Sequence, residues 1–312
     1  MIKQTYVVAG EPVEINTLEY ETDLEALREF FRSNQRGPIA CDTEGTGLNP
    51  YAGDFRLRMV QFGNATEAYV LPYDRFAEQI KGILRHEAFH FVFHNAPYDL
   101  MVFDALGVCG AESLAKRVTD TKLLAHLADP RPMMEGGPGL SLKGNSAWYV
   151  DDSAPDTQKD LNKVFKELAL ASNGEVVDLG GLDTKGRAAV RKTYKDAGNP
   201  IKALKVDDGW RHIPTLHPTY TLYAGLDVIL TSRLLAKLQP IIDRNEMTEL
   251  ARFEHNVMRA CLNMQIAGIP VDVEYFEALD SRYDATIAKY ESQAAKLGVS
   301  KIGSTAQVAE AL

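Results

Sequence analysis

The order of strand and helix patterns in the first 130 residues restricts the fold more than any other feature of this 312-residue chain. Three short β-patterned runs follow one helix pattern, and strands and helices then alternate. The expected order is a helix (23–33), three strands (39–44, 56–63 and 67–72), a helix (74–86), a strand (89–93), a helix (95–107), a strand (117–119) and a helix (121–128). Three consecutive strands before an alternating region predict a mixed sheet with helices on its faces, so the predicted fold class is α/β.

The rest of the chain is predicted to be irregular at first and then helical. Glycine and proline breaks interrupt residues 130–218, which hold one strong helix pattern between Leu161 and Leu168. At about 150 residues per domain, the length predicts two domains, the second of them opening with an all-helical segment. The downstream helix patterns lie at 220–238, 246–267 and 273–297.

Composition and charge restrict the class of protein. Apolar residues make up 45% and charged residues 25% of the chain, as in soluble globular proteins. No apolar run approaches the length of about 18 residues that a membrane span needs, and the N-terminus lacks the apolar core of a secretory signal. The net charge of −9 disfavours a protein that binds nucleic acid by phosphate neutralisation alone, and it suits a metal-using enzyme better.

The three cysteines are widely spaced and form no Cys-x-x-Cys pair. We expect Cys41, Cys109 and Cys261 to be buried free thiols of a protein in a reducing compartment. A disulfide-rich extracellular class is therefore excluded.

Three short motifs each place two polar side chains on one face of an element. Residues two apart share a face of a strand, and residues four apart share a face of a helix. Four carboxylates from three separate elements have the oxygen ligands that hard divalent cations prefer, provided that the fold brings them together. The motifs are Asp42-x-Glu44 at a strand end, Asn95-xxx-Asp99 and Tyr223-xxx-Asp227, the last two on helix patterns.

Each motif taken alone also has an ordinary structural explanation, because such short patterns arise by chance. Asp-x-Glu occurs at 23 and 272 as well, where it opens a helix pattern. The ordinary explanations are a polar strand end for Asp42 and Glu44, a simple N-cap for Asn95, a solvated first-turn residue for Asp99 and a surface pair for Tyr223 and Asp227. The order of the three motifs along the chain is what favours a site.

That order resembles the 3′–5′ exonuclease domain of the DEDD superfamily, as found in family A DNA polymerases. Leu222 stands where the histidine subtype of the superfamily carries histidine, so the chain resembles the tyrosine subtype through Tyr223. The resemblance covers nearly the whole chain except about 155–218. The segments that carry it are ACDTEGTGL (40–48), FHNAPYDLMVF (93–103), TDTKLLAHLADP (119–130), LSLKGNSAWYV (140–150) and LYAGLDVILTSRLL (222–235).

The resemblance implies the domain organisation. An exonuclease domain with a ribonuclease-H-like mixed sheet and flanking helices would occupy residues 1–240, with an insertion at about 155–218. Residues 241–312 would be the helical, incomplete start of a polymerase domain at the base of its thumb. The segments MRACLNMQIAGIPVDVEYFEAL (258–279) and GSTAQVAEAL (303–312) carry this second resemblance.

The resemblance also implies a two-metal site with Mg²⁺ or Mn²⁺. Asp42 would bridge both cations, with Glu44 and Asp227 completing the first site. Asp99 would hold the second cation, directly or through water. Tyr223 would orient the attacking water as a neutral hydroxyl, because the reference pKa of tyrosine is about 10.

The implied substrate is a single-stranded or frayed 3′ end of DNA. Leu48 would wedge against the terminal bases, and Asn95 and Tyr98 would contact the terminal nucleotide. The alternatives are that Leu48 is a core residue and Tyr98 a surface aromatic. The implied partner is the rest of the polymerase, on the same or a separate chain, without a membrane, in the cytoplasm of a bacterial or phage-infected cell.

Two other functions remain open from the sequence. The same fold and acids occur in ribonuclease-D-like enzymes, which trim RNA, although such an enzyme has no use for a polymerase-like tail. A catalytically inactive scaffold or DNA clamp is the non-enzymatic alternative, and the presence of all four acids argues against it. The basic stretch 185–205 would either follow a single strand or form a solvated helix face.

Overall fold

A seven-stranded mixed sheet lies at the centre of the computed structural model, which describes residues 1–154 and 156–312. Its strand order is β1-β2-β5-β4-β3-β6-β7. The pairs β1–β2, β3–β4 and β4–β5 are antiparallel, whereas β2–β5, β3–β6 and β6–β7 are parallel. The strands are β1 (Ile2–Val8), β2 (Glu11–Thr17), β3 (Ile39–Gly45), β4 (Leu57–Gly63), β5 (Glu67–Pro72), β6 (Phe91–Phe93) and β7 (Val118–Asp120). The predicted α/β class, a mixed sheet with flanking helices, is confirmed.

The hairpin β1–β2 is absent from the sequence prediction, which begins with the helix at 23. Its turn is Ala9–Gly10, with both residues at positive φ, and it lacks the Asn-Gly or Asp-Gly signature of such turns. β1 is an edge strand whose residues before Val8 are exposed or only partly buried, so its apolar signal is weak. The hairpin extends the sheet through parallel pairing of β2 with β5.

The helices lie close to their predicted positions. Beyond them, α4, α6, α8, α9 and a second sheet occupy parts of the chain for which the sequence predicts no regular element. The helices are α1 (Leu24–Ser33), α2 (Tyr73–Arg85), α3 (Ala96–Ala105), α4 (Ala111–Ala115), α5 (Thr121–Ala128), α6 (Leu142–Tyr149), α7 (Asp156–Glu167), α8 (Thr184–Asp196), α9 (Gly209–His212), α10 (Pro218–Arg244), α11 (Thr248–Ala267), α12 (Val273–Lys296) and α13 (Thr305–Ala311).

Two apolar cores lie on opposite faces of the sheet. One face packs against α1, α2 and α3, with Phe31 and Phe62 among its buried residues. The other face packs against α10, the long helix that carries Tyr223 and Asp227. A Cβ at Gly225 would lie 2.5 Å from Ile15 of β2, so only glycine permits this close approach of α10 to the sheet. The close packing fixes the position of Asp227 two residues further along.

Residues 156–213, here called the insertion lobe, follow α6. A three-stranded antiparallel sheet of order β10-β8-β9 lies within it. The basic helix α8 has no buried residue, and its Val190 and Tyr194 pack only partly against the small core of the lobe. The strands are β8 (Leu168–Ala171), β9 (Val176–Asp178) and β10 (Ile201–Ala203).

The chain forms two compact units, Met1–Ile266 and Ala267–Leu312. The second unit contains α12 and α13 and is helical, as predicted for the C-terminal segment. The division at 266 separates two compact units and does not test the boundary expected between the exonuclease and polymerase domains. That boundary, at 240, stays a prediction. Across residues 1–154 and 156–312, no helix combines the length and the apolar character needed to cross a bilayer.

The cysteine prediction is confirmed in part. Cys41 and Cys109 are buried free thiols within the core of the first unit. Cys261 is also a free thiol but is exposed, so the prediction of a buried side chain is wrong for it. The reason is its place on α11, whose buried positions Met258 and Leu262 lie on another face of the helix.

Candidate active site

Three carboxylates meet where the end of β3 faces α10. One oxygen from each of Asp42, Glu44 and Asp227 lies within 4.8 Å of the other two. Glu44 and Asp227 are buried and Asp42 is half-buried, so the surface pair is the wrong explanation for Asp227. We call these three residues the carboxylate cluster. The fold therefore brings together side chains 185 positions apart in the chain.

Asp99 approaches the same place from α3. It is 3% exposed, and the Thr43 hydroxyl donates a hydrogen bond of 2.6 Å to its Oδ1. Thr43 lies between Asp42 and Glu44, so this bond ties α3 to the strand end. Asp99 is outside the 4.8 Å group but is a source of the raised pKa of Asp42. The explanation of Asp99 as a solvated first-turn residue is wrong.

The surroundings of the site favour the neutral form of its carboxyl groups. Burial raises the pKa of Asp42 and of Glu44 well above the usual range, and neighbouring carboxylates raise both further. Burial also raises the pKa of Asp99 to about 7, although the hydrogen bond from Thr43 opposes the shift. A bound cation would stabilise the charged form of these buried carboxylates. All the donors are carboxylate oxygens, the ligands of hard divalent cations.

Tyr223 lies one helical turn before Asp227 and is 9% exposed. Burial raises its pKa well above the usual value of 10, and the charges of Asp227, Glu44 and Asp42 raise it further. The hydroxyl is therefore neutral at physiological pH. This agrees with the state that the sequence analysis expects and excludes the surface-pair explanation.

Lys143 is part of the site, although it belongs to none of the three acidic motifs. Its Nζ contacts Asp227 Oδ1 and lies 4.5 Å from the ring centroid of Tyr223. The signal for it was present in the segment LSLKGNSAWYV, which carries the resemblance. The segment indicates only the family, because a lysine outside a recognised motif normally points to solvent.

Trp210 of the insertion lobe is a second contact that the motifs do not indicate. Its ring packs edge-on against Tyr223, Tyr220 and Phe165. Arg58 of β4 holds this region by donating a hydrogen bond of 2.7 Å to the Trp210 carbonyl and one of 2.9 Å to Thr215 Oγ1. The insertion lobe therefore contributes directly to the surroundings of the candidate site.

The three residues expected to bind substrate come from the loop after β3 and from the start of α3. Leu48 is 88% exposed, so its explanation as a core residue is wrong. The hydroxyl of half-buried Tyr98 donates a hydrogen bond of 2.9 Å to the Gly47 carbonyl, which links α3 to the loop that carries Leu48.

Asn95 is exposed and adopts a left-handed conformation with φ of 74°. Its side chain makes no capping hydrogen bond, so the simple N-cap explanation is wrong. Asp120 accepts instead from the backbone N–H groups of Asn95 and Ala96, each at 2.9 Å. The Asn95 side chain thus stays at the surface, where its Oδ1 accepts from Lys122.

Comparison with known proteins finds similar sequences. Residues 15–142 match the family model described as a 3′–5′ exonuclease. The DNA polymerase of Mycobacterium phage D29 is 32% identical over all of this chain and 46% of its own length. The DNA polymerase of Mycobacterium phage L5 is 34% identical over all of this chain and 47% of its own length. The chain thus spans about half the length of these curated relatives.

Solved structures with a similar arrangement include two nucleases. Brucella melitensis NrnC with bound Mg²⁺ is 18% identical, covers 81% of this chain and 92% of its own, and has a TM-score of 0.46. Escherichia coli RNase D, an exoribonuclease, is 18% identical, covers 80% of this chain and 51% of its own, and has a TM-score of 0.46. Residues 15–142 are thus similar to the 3′–5′ exonuclease domain family.

Proposed function

We propose that this chain is a metal-dependent 3′–5′ exonuclease that hydrolyses DNA from its 3′ end and proofreads for a family A DNA polymerase. The observation that carries the proposal is the convergence of Asp42, Glu44 and Asp227 within 4.8 Å in a partly buried site. The match of residues 15–142 to the 3′–5′ exonuclease model supports the direction of digestion. The polymerase names of the relatives support DNA as the substrate.

The acidic residues fit two divalent cations, Mg²⁺ or Mn²⁺. Asp42, Glu44, Asp99 and Asp227 would hold these cations. All four groups are carboxylates. In Asp42, Glu44 and Asp99, burial makes the charged form unfavourable when no cation is bound. Bound divalent cations supply charge stabilisation for the attacking and leaving oxygens of an in-line displacement at phosphorus.

Tyr223 would orient the attacking water in this reaction. Its raised pKa makes it a poor base but keeps its hydroxyl available as a hydrogen-bond donor. Asp227 lies on the same face of α10, so the hydroxyl and one carboxylate of the cluster are held in register. The role assigned to Tyr223 is therefore positioning of the water.

The 3′ end of the DNA strand would be held by contacts that do not depend on base identity. Leu48 presents an almost fully exposed apolar side chain, which suits wedging against the terminal bases. Asn95 and Tyr98 lie at the start of α3 beside Asp99 and would contact the terminal nucleotide. Stacking and phosphate contacts of this kind accept any sequence, as proofreading requires.

The proposed place of the chain in a DNA polymerase rests on its relatives. The full length of this chain aligns with phage DNA polymerases, and these are about twice as long. We therefore propose that residues 241–312 are the helical start of a polymerase domain, whose remaining part lies on the same or a separate chain. The setting would be the cytoplasm of a phage-infected bacterial cell.

The test is digestion of matched 5′-labelled DNA and RNA oligonucleotides in Mg²⁺ or Mn²⁺. Asp42→Ala and Asp227→Ala should each abolish digestion while circular dichroism shows an unchanged fold. Asp280→Ala, at an exposed aspartate of α12, is the matched control and should digest normally. Near-normal digestion by either cluster variant would overturn the assignment, and faster loss of RNA would replace DNA by RNA as the substrate.

A further inference from the structure

Lys143 is a cation inside a group of acids that is expected to bind metal. Its Nζ contacts Asp227 Oδ1, and its side chain is only 15% exposed. Among the ion pairs of residues 1–154 and 156–312, this pair is the one that includes a carboxylate of the cluster. An ammonium group thus neutralises part of the charge that Asp42, Glu44 and Asp227 concentrate.

The position of Lys143 in its own helix does not explain this contact. It is the second residue of α6, close to the positive end of the helix dipole, where a cation is unfavourable. The Ser141 hydroxyl already caps the helix by accepting from Gly144 N. The attraction that holds the ammonium therefore comes from Asp227 and not from local structure.

The backbone before Lys143 is fixed relative to the sheet. His94, which follows β6, makes a hydrogen bond of 3.0 Å through Nε2 to the Leu140 carbonyl. The Asn145 side-chain amide donates to the carbonyls of Gly139 and Ser141 at 3.1 and 3.0 Å. The start of α6 is therefore anchored, and only the side chain of Lys143 has freedom to leave the cluster.

The ammonium group also bridges the two functional residues of α10. It lies 4.5 Å from the centroid of the Tyr223 ring, within the range of a cation–π contact. One group thus contacts both Asp227 and Tyr223, which are one turn apart. Its loss would leave both side chains with fewer constraints.

Resting on the proposed function, we infer that Lys143 is a positioning residue that serves as an internal counter-cation and competes with a divalent cation for Asp227. An ammonium group and a metal ion repel each other, so both cannot approach the same carboxylate oxygen closely. The ammonium stabilises the cluster when no divalent cation is bound. Binding of the cation then requires displacement of the lysine side chain, which lowers the apparent affinity.

Lys143→Met tests the competition, because methionine keeps an unbranched apolar stem beside Tyr223 and removes the charge. We expect the variant to bind Mn²⁺ about five- to tenfold more tightly than the wild type when free Mn²⁺ is measured by electron paramagnetic resonance. Lys143→Arg keeps a cation and should stay near the wild-type affinity. Lys81→Met removes a half-buried lysine that pairs with Glu78 and is the matched control. Unchanged or weaker Mn²⁺ binding by Lys143→Met overturns the inference.

Thermal unfolding gives a second measurement that does not depend on activity. In chelator at pH 8, Lys143→Met should unfold at a lower temperature than the wild type, because the carboxylates lose their counter-cation. The difference should disappear in saturating Mn²⁺, and an equal loss in both conditions overturns the inference. A wild type that binds no Mn²⁺ overturns the proposed function as well, whereas normal binding without an effect of Lys143→Met overturns the inference alone.

Discussion

The ring of Trp210 meets the ring of Tyr223 edge-on, with centroids 5.8 Å apart and planes at 62°. Trp210 belongs to the insertion lobe, and Tyr223 belongs to the helix that carries Asp227. Lys143 contacts the same tyrosine ring. The orientation of Tyr223 therefore depends on two residues from segments outside the three acidic motifs, and this dependence can be measured.

Trp210→Leu should lower kcat for digestion of a 3′-ended DNA strand by about tenfold, because loss of the aromatic contact frees Tyr223 to turn away from the site. Mn²⁺ affinity should change little, since the ring contacts of Trp210 are with Phe165, Tyr220 and Tyr223 rather than with the carboxylate cluster. Trp148→Leu, at a half-exposed tryptophan of α6, is the control. A loss of Mn²⁺ binding in Trp210→Leu would contradict the expectation.

A double-mutant cycle separates this effect from general loosening of the fold. If Trp210 acts by positioning the Tyr223 hydroxyl, Trp210→Leu should have a much smaller effect on kcat in a Tyr223→Phe background. Equal factors in the two backgrounds would show that Trp210 acts elsewhere.

Tyr223→Phe should lower kcat by about 100-fold, the low end of the effect of removing one hydrogen-bond donor from a reacting group. Mn²⁺ binding should remain, because the neutral hydroxyl is not a cation ligand in the proposed arrangement. Calorimetric titration with Mn²⁺ beside single-turnover digestion would check both parts. Loss of Mn²⁺ binding together with activity would assign the tyrosine to the metal site instead.

The metal-free protein should be less stable at pH 8 than at pH 5. The pKa of Asp99 rises from 3.8 to about 7 on folding, so the folded state binds a proton that the unfolded state releases. Its contribution is therefore fully present below about pH 4 and is lost as the pH rises through about 7. Asp99→Asn mimics the protonated group and should raise the free energy of unfolding by roughly 1–3 kcal/mol in chelator at pH 8.

The gain from Asp99→Asn should shrink at pH 5, where the wild-type carboxyl is already protonated in the folded state. Urea unfolding in chelator at the two pH values measures this difference. Destabilisation by Asp99→Asn at both values would show that its hydrogen bond with Thr43 requires the carboxylate.

The sequence alone predicted most of the strands and helices that carry the site residues. Short apolar runs located β3, β4 and β5, because a strand with a core on each face is apolar on both sides. Asn95 before α3 and Gly107 after it marked the ends of that helix. The hairpin β1–β2 was missed because β1 is an edge strand with little buried surface. Cys261 was placed wrongly because a thiol carries no local sign of the helix face on which it lies.

For the candidate site, the motifs identified the four acids and Tyr223, since carboxylates at fixed spacings on predicted elements already indicate a shared face. Only the tertiary structure showed that Asp42, Glu44 and Asp227 meet, and only it brought Lys143 and Trp210 to Tyr223. The physical reason is that periodicity records which side of an element is buried, whereas a contact between distant side chains depends on how helices and strands pack. Lysine and tryptophan leave no spacing signal of such contacts, because their partners come from other parts of the chain.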